Sequence, residues 1–346
     1  MHSQPTFMLT SRENVQLAAG HPPILVLVVD TEEEFNWGQP FDRRADAVTA
    51  MREIHRFQEL CDGFKVHPCY VVDYPVGAKA EGYQPLQAAA ADGRCEIGAH
   101  LHPWVNPPFT EEVNARNSYP GNLPREIERA KCAELRDQIA KTFGTAPLTY
   151  KAGRYGIGPN TPQILSELGF LIDLSPAPGF SYVGDGGPDF THHPVGPYRF
   201  GEQDDLLCLP CTGGFTGALP PGAAASAFML GARPPFRGLR WRGILSRLNL
   251  ARQGRLSPEG YTLAQNRALT DTLLARGIRV FNYSFHSPTL KAGCTSYTRT
   301  TADVDAFLSQ IRNYIDYFLN VIGGVVLRPL EVREILLRPA LAARKQ

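Results

Sequence analysis

At 346 residues and 43% hydrophobic content, the chain is long enough for one large domain or two ordinary ones with a sizeable core. Its 35 basic side chains nearly cancel its 34 acidic ones, so no overall field points to nucleic acid and any electrostatic preference is local. The longest uninterrupted apolar run, Ile24 to Val29, falls far short of the roughly 20 residues of a membrane span, and the N-terminal MHSQPTFMLTSRENVQ has neither the basic start nor the apolar centre of a secretory signal.

A cytoplasmic protein is therefore expected. The cysteines agree: Cys61, Cys69, Cys95, Cys132, Cys208, Cys211 and Cys294 are an odd, scattered set that suits reduced thiols. Cys208 and Cys211 form a C-x-x-C with no second pair and no helix obviously opening after it. Buried strand cysteines are the expectation there, with a redox or zinc role as the alternative.

Ile24 to Trp37, ILVLVVDTEEEFNW, runs six apolar residues into four acidic residues among five. The continuous apolar run after Pro23 predicts a strand buried on both faces. Its carboxylates cluster at its C-terminal end, where ligands bind in parallel α/β folds, which makes Asp30 and Glu32 candidate functional residues. Val48, Met51, Ile54 and Phe57 recur at three-residue steps and predict an amphipathic helix over 45–60. A strand over 67–72, a helix over 83–92 and a strand over 95–100 follow. The third strand ends in HLHPWVNPPF, a Pro-rich loop, and 124–143 predicts a charged helix with proline near its first turn.

Strand 147–152, helix 162–168 and strand 170–173 continue the alternation. Residues 175–222 are rich in Gly and Pro with short strand-like pieces (PYRF, LLCLP), which reads as a long surface excursion. Helix 263–276, strand 279–284 and helix 303–321 restore regularity. Six or seven β/α units predict a parallel sheet, open or closed. A barrel is favoured because an ionisable residue stands at the end of nearly every strand: Asp30, Asp73, His100, Arg154, Asp173 and His286. A single catalytic domain over 1–346 is expected, with its core at 24–330 and an insertion at about 175–260.

His100 and His102 lie two apart, so on extended chain their side chains share a side and can hold one metal ion, with a neighbouring carboxylate completing the set. His286 follows a strand of alternating aromatics. It either hydrogen-bonds in the core or acts as a general acid, because imidazole titrates near neutral pH. Arg154, between glycines at another strand end, can pair with Asp30 or Asp173 and hold a carboxylate ionised.

Five motifs in order carry a resemblance: VDTEEEF (29–35), EIGAHLHPW (96–104), GRYG (153–156), LGFLIDLS (168–175) and FHS (285–287). Together they resemble the polysaccharide deacetylase family, the NodB-homology or carbohydrate esterase 4 group, in particular its subgroup linked to bacterial surface-polysaccharide biosynthesis. The resemblance implies a distorted (β/α) barrel with about seven parallel strands and a divalent metal, often zinc. It implies Asp30 as general base, Glu32 and His100 as metal ligands, and His286 as general acid, with Arg154 and Asp173 orienting the base and the acid. Two departures stand out. The family's second histidine falls four residues after the first, where this chain has Trp104, so His102 substitutes from a different spacing. Glutamate replaces the usual aspartate ligand, with Glu33 and Glu34 as alternatives.

The activity implied is hydrolysis of an N-acetyl group or related amide on a carbohydrate, with a backbone N–H near Tyr155 holding the oxyanion. Trp37, Tyr74, Trp104 and Phe109 are candidate walls for a sugar ring, with core packing as the alternative. Rival readings are a metal-free amidohydrolase on a cyclic amide or ureide, a glycosidase, and a catalytically silent carbohydrate-binding protein. Finally, 233–255 holds seven arginines and no acidic residue, interleaved with Phe236, Leu239, Trp241, Ile244, Leu245 and Leu248. Such a segment is either a solvated helix face or a contact for an anionic membrane surface or phosphates, which would suit a lipid- or nucleotide-linked substrate.

Overall fold

The apolar run after Pro23 forms a strand, Ile24–Thr31, that is buried along all eight residues. A computed structural model describes residues 13–203 and 205–343; most of the N-terminal stretch examined for a signal lies outside them. In chain order the strands are β1 (Glu13–Asn14), β2 (Ile24–Thr31), β3 (Cys69–Val72), β4 (Glu96–Leu101), β5 (Thr149–Ala152) and β6 (Ile172–Asp173). They continue with β7 (Tyr198–Phe200), β8 (Leu206–Cys208), β9 (Gly213–Thr216), β10 (Arg252–Arg255), β11 (Val280–His286) and β12 (Val325–Val326).

Seven strands run parallel in the order β8-β6-β5-β4-β3-β2-β11. Short β12 lies parallel against the start of β2, and β7 and β1 extend the β8 end antiparallel. Among the described residues no ladder joins β11 to β8. Instead the Asn282 N–H donates to Thr212 Oγ1 (2.8 Å), its side-chain amide to the Leu209 carbonyl (3.4 Å), and the Ser284 N–H to the Leu256 carbonyl (3.3 Å). These bonds bridge the gap, and the result is the distorted (β/α) barrel that the motifs imply.

Period-two alternation sorts the strand residues. Ile24, Val26 and Val28 pack with Cys69, Val71, Ile172, Leu174, Leu207 and Val280 inside the barrel, which Val332 and Leu336 of helix Pro329–Ala343 plug. Leu25, Leu27, Val29, Tyr70 and Val72 face outward to helices such as Ile54–Phe64 and Arg125–Phe143, through Phe57, Leu135 and Ile139.

The excursion predicted over 175–222 is more than surface. Its LLC piece is β8, a barrel strand too short and too closely flanked by turns to show a period. After it, β9 and β10 form a two-stranded antiparallel sheet, backed by the helices Pro221–Leu230 and Trp241–Arg247 of their connection around Phe215, Ala224 and Leu245. All seven cysteines are unbridged, and the Cys211 thiol donates to the Leu174 carbonyl.

Glu128, buried on helix Arg125–Phe143, accepts from Thr161 Oγ1 while its second oxygen has no partner among the described residues. Burial pushes its carboxyl up to about 7. The folded state thus holds a proton that the unfolded chain releases near pH 4.5. Stability from this group is present below that pH and falls as pH rises toward 7. Glu128→Gln is expected to flatten this slope and raise stability at pH 8 by about 2 kcal/mol, read from urea unfolding at pH 5 and pH 8.

Candidate active site

The inward column of β2 ends in Asp30, and its register partner on β11 is His286, which ends the column Val280, Asn282, Ser284. On β4 and β5 the register pairs His100 with Lys151. The ladders through β3 set His100 and Lys151 two residues beyond the Asp30–His286 pair, and the four side chains converge where the apolar interior gives way to the open end. Glu32 and His102, two residues further along their chains, continue the same columns outward.

Glu32 Oε2 lies 3.3 Å from His100 Nε2 and 3.4 Å from His102 Nε2, and all three side chains are buried. The other ring nitrogens are committed: His100 Nδ1 faces the Lys151 carbonyl at 3.1 Å and His102 Nδ1 faces Glu33 Oε2 at 2.8 Å. With the proton on Nδ1 in each ring, both Nε2 lone pairs point toward Glu32. Burial raises the Glu32 carboxyl, but His286, His100 and His102 outweigh it and hold it below its ordinary value. Burial also keeps the His102 imidazole below its ordinary value despite Glu32. A carboxylate and two imidazoles within 4.8 Å of one another are a donor set that suits a divalent ion with positions left for water and substrate.

His102 is held in place by tight packing on both sides. Its ring stacks on Trp104, with centroids 4.3 Å apart and planes 22° apart, and a Cβ on Gly153 would approach its Cδ2 to 2.3 Å. Only glycine leaves room there. The loop beyond is pinned from below by buried Lys131, which donates to the carbonyls of Pro103 (2.9 Å), Asn106 (2.5 Å) and Pro108 (2.8 Å) and pairs with Glu111 at 3.0 Å.

Of the three consecutive glutamates, Glu32 is the one that reaches both histidines at Nε2. Glu33 holds His102 from behind and donates its own N–H to Asp73 (2.7 Å), and Asp73 caps the helix Tyr74–Ala78 through the Val76 N–H. Burial, with repulsion from Glu32, pushes Glu33 up to about 8; burial and Glu33 raise Asp73 well above its usual range. Glu34 accepts from Thr49 Oγ1 (2.5 Å) and the Ala50 N–H (2.6 Å).

Both Asp30 oxygens accept from Lys151 Nζ, at 2.6 and 2.7 Å, and Oδ2 lies 3.5 Å from His286 Nε2. Burial alone would raise this carboxyl; Lys151 foremost, with His100 and His286, brings it down to about 2. His286 Nδ1 lies 2.6 Å from Glu259 Oε2, its N–H donates to Glu259 Oε1 (3.1 Å), and Thr289 Oγ1 donates to the same carboxylate (2.5 Å). Burial opposes charge on the ring, yet Glu259 first, then Glu32 and Asp30, raise it to about 10.

Four expectations need correction. Arg154 pairs with neither Asp30 nor Asp173. Arg154 and Tyr155 have φ of 55° and 60°, so the chain turns sharply after β5 and carries Arg154 outward, onto Ser118 Oγ (2.5 Å), the Ala115 carbonyl (3.2 Å) and the face of Tyr119 (4.0 Å). Lys151 stands beside Asp30 in its place. Asp173 lies between inward Ile172 and Leu174 and so points to the opposite face, where Ser175 donates to it from both N–H and Oγ. Glu259 holds His286 instead. Tyr74 begins a helix and packs on the outer core, within reach of the charge of Glu134. Trp104 is 1% exposed and backs His102 rather than walling a pocket.

Trp37 is 53% exposed and meets Phe35, Phe41 and Trp104 edge-on or nearly so at 5.0 to 6.3 Å, with exposed Phe109 further along the loop. Tyr155 stacks on Tyr182 and lies 5.6 Å from Lys151 Nζ. Two partners went unread in the sequence. Lys151 left a signal, a lone lysine inside an otherwise buried strand. Glu259, in the loop after β10, left none.

No family model and no curated protein matches the chain. Solved structures do. A protein of Mycobacterium smegmatis designated a polysaccharide deacetylase is 16% identical, with a TM-score of 0.56 and 96% of each chain covered. One of Pseudomonas aeruginosa PAO1 with the same designation is 15% identical, with a TM-score of 0.51 and 91% of each chain covered. Puue allantoinase is 16% identical, with a TM-score of 0.50 and coverage of 93% of this chain and 92% of that one. At such identities the likeness is one of backbone path, and the chain has the fold of the polysaccharide deacetylases.

Proposed function

We propose that this chain, as a single catalytic domain, hydrolyses an N-acetyl group or related amide on a carbohydrate or carbohydrate precursor. One observation carries the reading: a ligand set for a divalent ion, Glu32, His100 and His102, stands beside a carboxylate and an imidazole whose ionisations are driven to opposite extremes. Zinc suits this mixture of nitrogen and oxygen donors. Such an ion, when bound, polarises the amide carbonyl and makes water a better nucleophile.

The chain's own residues divide the proton transfers. Asp30 is ionised at every working pH and accepts the hydrogen of the attacking water; Lys151 fixes its orientation at some cost in basicity. His286, held protonated by Glu259, delivers a proton to the departing amine. A backbone N–H in the left-handed turn at Tyr155 takes the developing oxyanion, a contact whose loss typically costs about a hundredfold or more. Trp37 offers an exposed ring on which a sugar can stack.

Acetate release from N-acetylated oligosaccharides tests the activity, with metal content measured after purification without chelators. About one divalent ion per chain is expected, lost in His102→Ala and in Glu32→Gln together with nearly all acetate release. Absence of acetate release, together with ring opening of a cyclic ureide that survives complete chelation, would favour the second reading, a metal-free hydrolase on a cyclic ureide, to which the likeness to an allantoinase fold gives some support.

The seven unbridged thiols support a reducing, cytoplasmic location. Among the described residues no helix is long and apolar enough to cross a membrane. Peripheral contact is proposed for the basic segment instead: Leu239, Ile244 and Leu248 are 60%, 40% and 63% exposed among its arginines, which suits an anionic lipid surface and a lipid-linked substrate. Replacing Arg240, Arg242 and Arg247 by glutamine is expected to cut sedimentation with anionic liposomes severalfold; unchanged partitioning removes the membrane contact.

A further inference from the structure

Arg255 ends β10 at the mouth of the barrel, and its surroundings are unusual for a guanidinium. Its Cζ lies 4.5 Å from the ring centre of Tyr155 and 4.3 Å from that of Phe180. Nη1 donates to the Tyr155 hydroxyl at 2.5 Å and Nη2 to the Tyr182 hydroxyl. Its Nε is buried and has no partner among the described residues. Among the described residues no carboxylate pairs with it, whereas the other cations of the site, Lys151 and His286, are matched by Asp30 and Glu259.

The hydrogen-bond balance is one-sided. Tyr155 and Tyr182 each spend an oxygen lone pair on Arg255 and keep a hydroxyl proton to give, and the guanidinium keeps N–H groups beyond those two bonds. The three side chains hold a net positive charge and a surplus of donors. Stacking between aromatic rings compensates part of the desolvation of the cation, but it supplies no acceptor. The cluster also adjoins the reacting groups: the Tyr155 ring centre that lies 4.5 Å from Arg255 Cζ is 5.6 Å from Lys151 Nζ.

We propose that Arg255, Tyr155 and Tyr182 form a receptor for an anionic group on the substrate, a carboxylate or a phosphate whose oxygens accept the unused N–H and O–H protons. This rests on the amide-hydrolase reading above and specifies its substrate class: the acylated sugar carries a negative charge close to the amide that is cleaved. Planar, bidentate recognition of such groups is what a guanidinium does and an ammonium does not, and the two phenols hold it rigidly enough to favour one orientation.

The test compares three substrates of one N-acetylhexosamine: the neutral sugar, its C6 carboxylate and its 1-phosphate. Wild-type holoenzyme is expected to favour one or both anionic forms in kcat/KM. Arg255→Gln is expected to reduce that preference by about tenfold to a hundredfold, the range of one charge-assisted hydrogen-bonded contact, with Tyr182→Phe giving a smaller loss in the same direction. The preferred form tells a carboxylate on the sugar from a phosphate of a carrier. Equal losses on neutral and anionic substrates, or no wild-type preference, would overturn the receptor and leave Arg255 a packing residue.

Calorimetric titration with D-glucuronate and with inorganic phosphate separates this idea from the enzymatic one. Binding that is lost in Arg255→Gln, in a protein that hydrolyses no N-acetyl sugar, supports the receptor and rejects the hydrolase. Hydrolysis without charge preference, together with no Arg255-dependent binding of either anion, does the reverse.

Discussion

His286→Ala is expected to lower kcat for acetate release by about 10²- to 10⁴-fold, the usual contribution of a positioned general acid. The size follows from how completely the ring is prepared. Glu259 grips both its Nδ1 and its backbone N–H, Thr289 fixes Glu259 in turn, and Asp30 stands 3.5 Å from Nε2. The imidazolium persists up to about pH 10, so it is charged whenever the leaving amine needs a proton. Glu259→Gln provides the graded version. Removing that carboxylate's charge lowers the pKa of His286, and an acid that must be protonated to act then loses its proton at lower pH. The alkaline limb of the rate profile is expected to move down while the acid limb stays, a displacement that general loosening of the fold would not produce. A His286→Ala enzyme with wild-type kcat would end the acid assignment.

The second large effect is on stability. Lys151→Met is expected to destabilise the protein by about 3–5 kcal/mol, because it leaves the buried Asp30 carboxylate without the cation that both its oxygens contact. The double variant Asp30→Asn/Lys151→Met removes the charge as well as its partner, and it is expected to recover most of that loss, since a buried pair exchanged for neutral groups of like volume is often close to neutral. Urea unfolding of the two single variants and the double one completes the cycle. Additive losses would mean that the pair is not coupled. The double variant is expected to be folded and inactive, which separates the role of the pair in holding the barrel mouth from its role in the reaction.

These two experiments meet at the layer where β2, β4, β5 and β11 leave the barrel interior. The apolar columns below it supply the hydrophobic burial that holds the strands in register. The layer itself places two cations and the Asp30 carboxylate together, with Glu259 reaching in from outside the strands. A cost in solvation of this kind is met by mutual pairing, and every member that the proposed reaction uses has a partner.

What the sequence determined by itself is what depends on neighbours along the chain. The apolar run from Ile24 to Val29 is continuous because β2 is covered on both faces, and His100 and His102 share a side because an extended chain repeats every two residues. Those rules of period and burial placed Asp30, Glu32 and the two histidines at strand ends before any contact was known. They also placed the helix of residues 125–143, whose first turn was legible from Pro124.

What only the tertiary structure decided is which groups from distant segments meet. Asp173 stands at a strand end like Asp30, but β6 presents Ile172 and Leu174 to the interior, so one step of phase turns it away; two described strand residues are too few for an alternation to be read. Arg154 is removed by a left-handed turn, and Lys151, an unremarked lysine three residues earlier, reaches Asp30 from β5 across the intervening strands. Glu259 finds His286 across 27 residues of chain. Such pairings follow from the closure of the barrel, which brings together loops whose local sequences carry no record of one another.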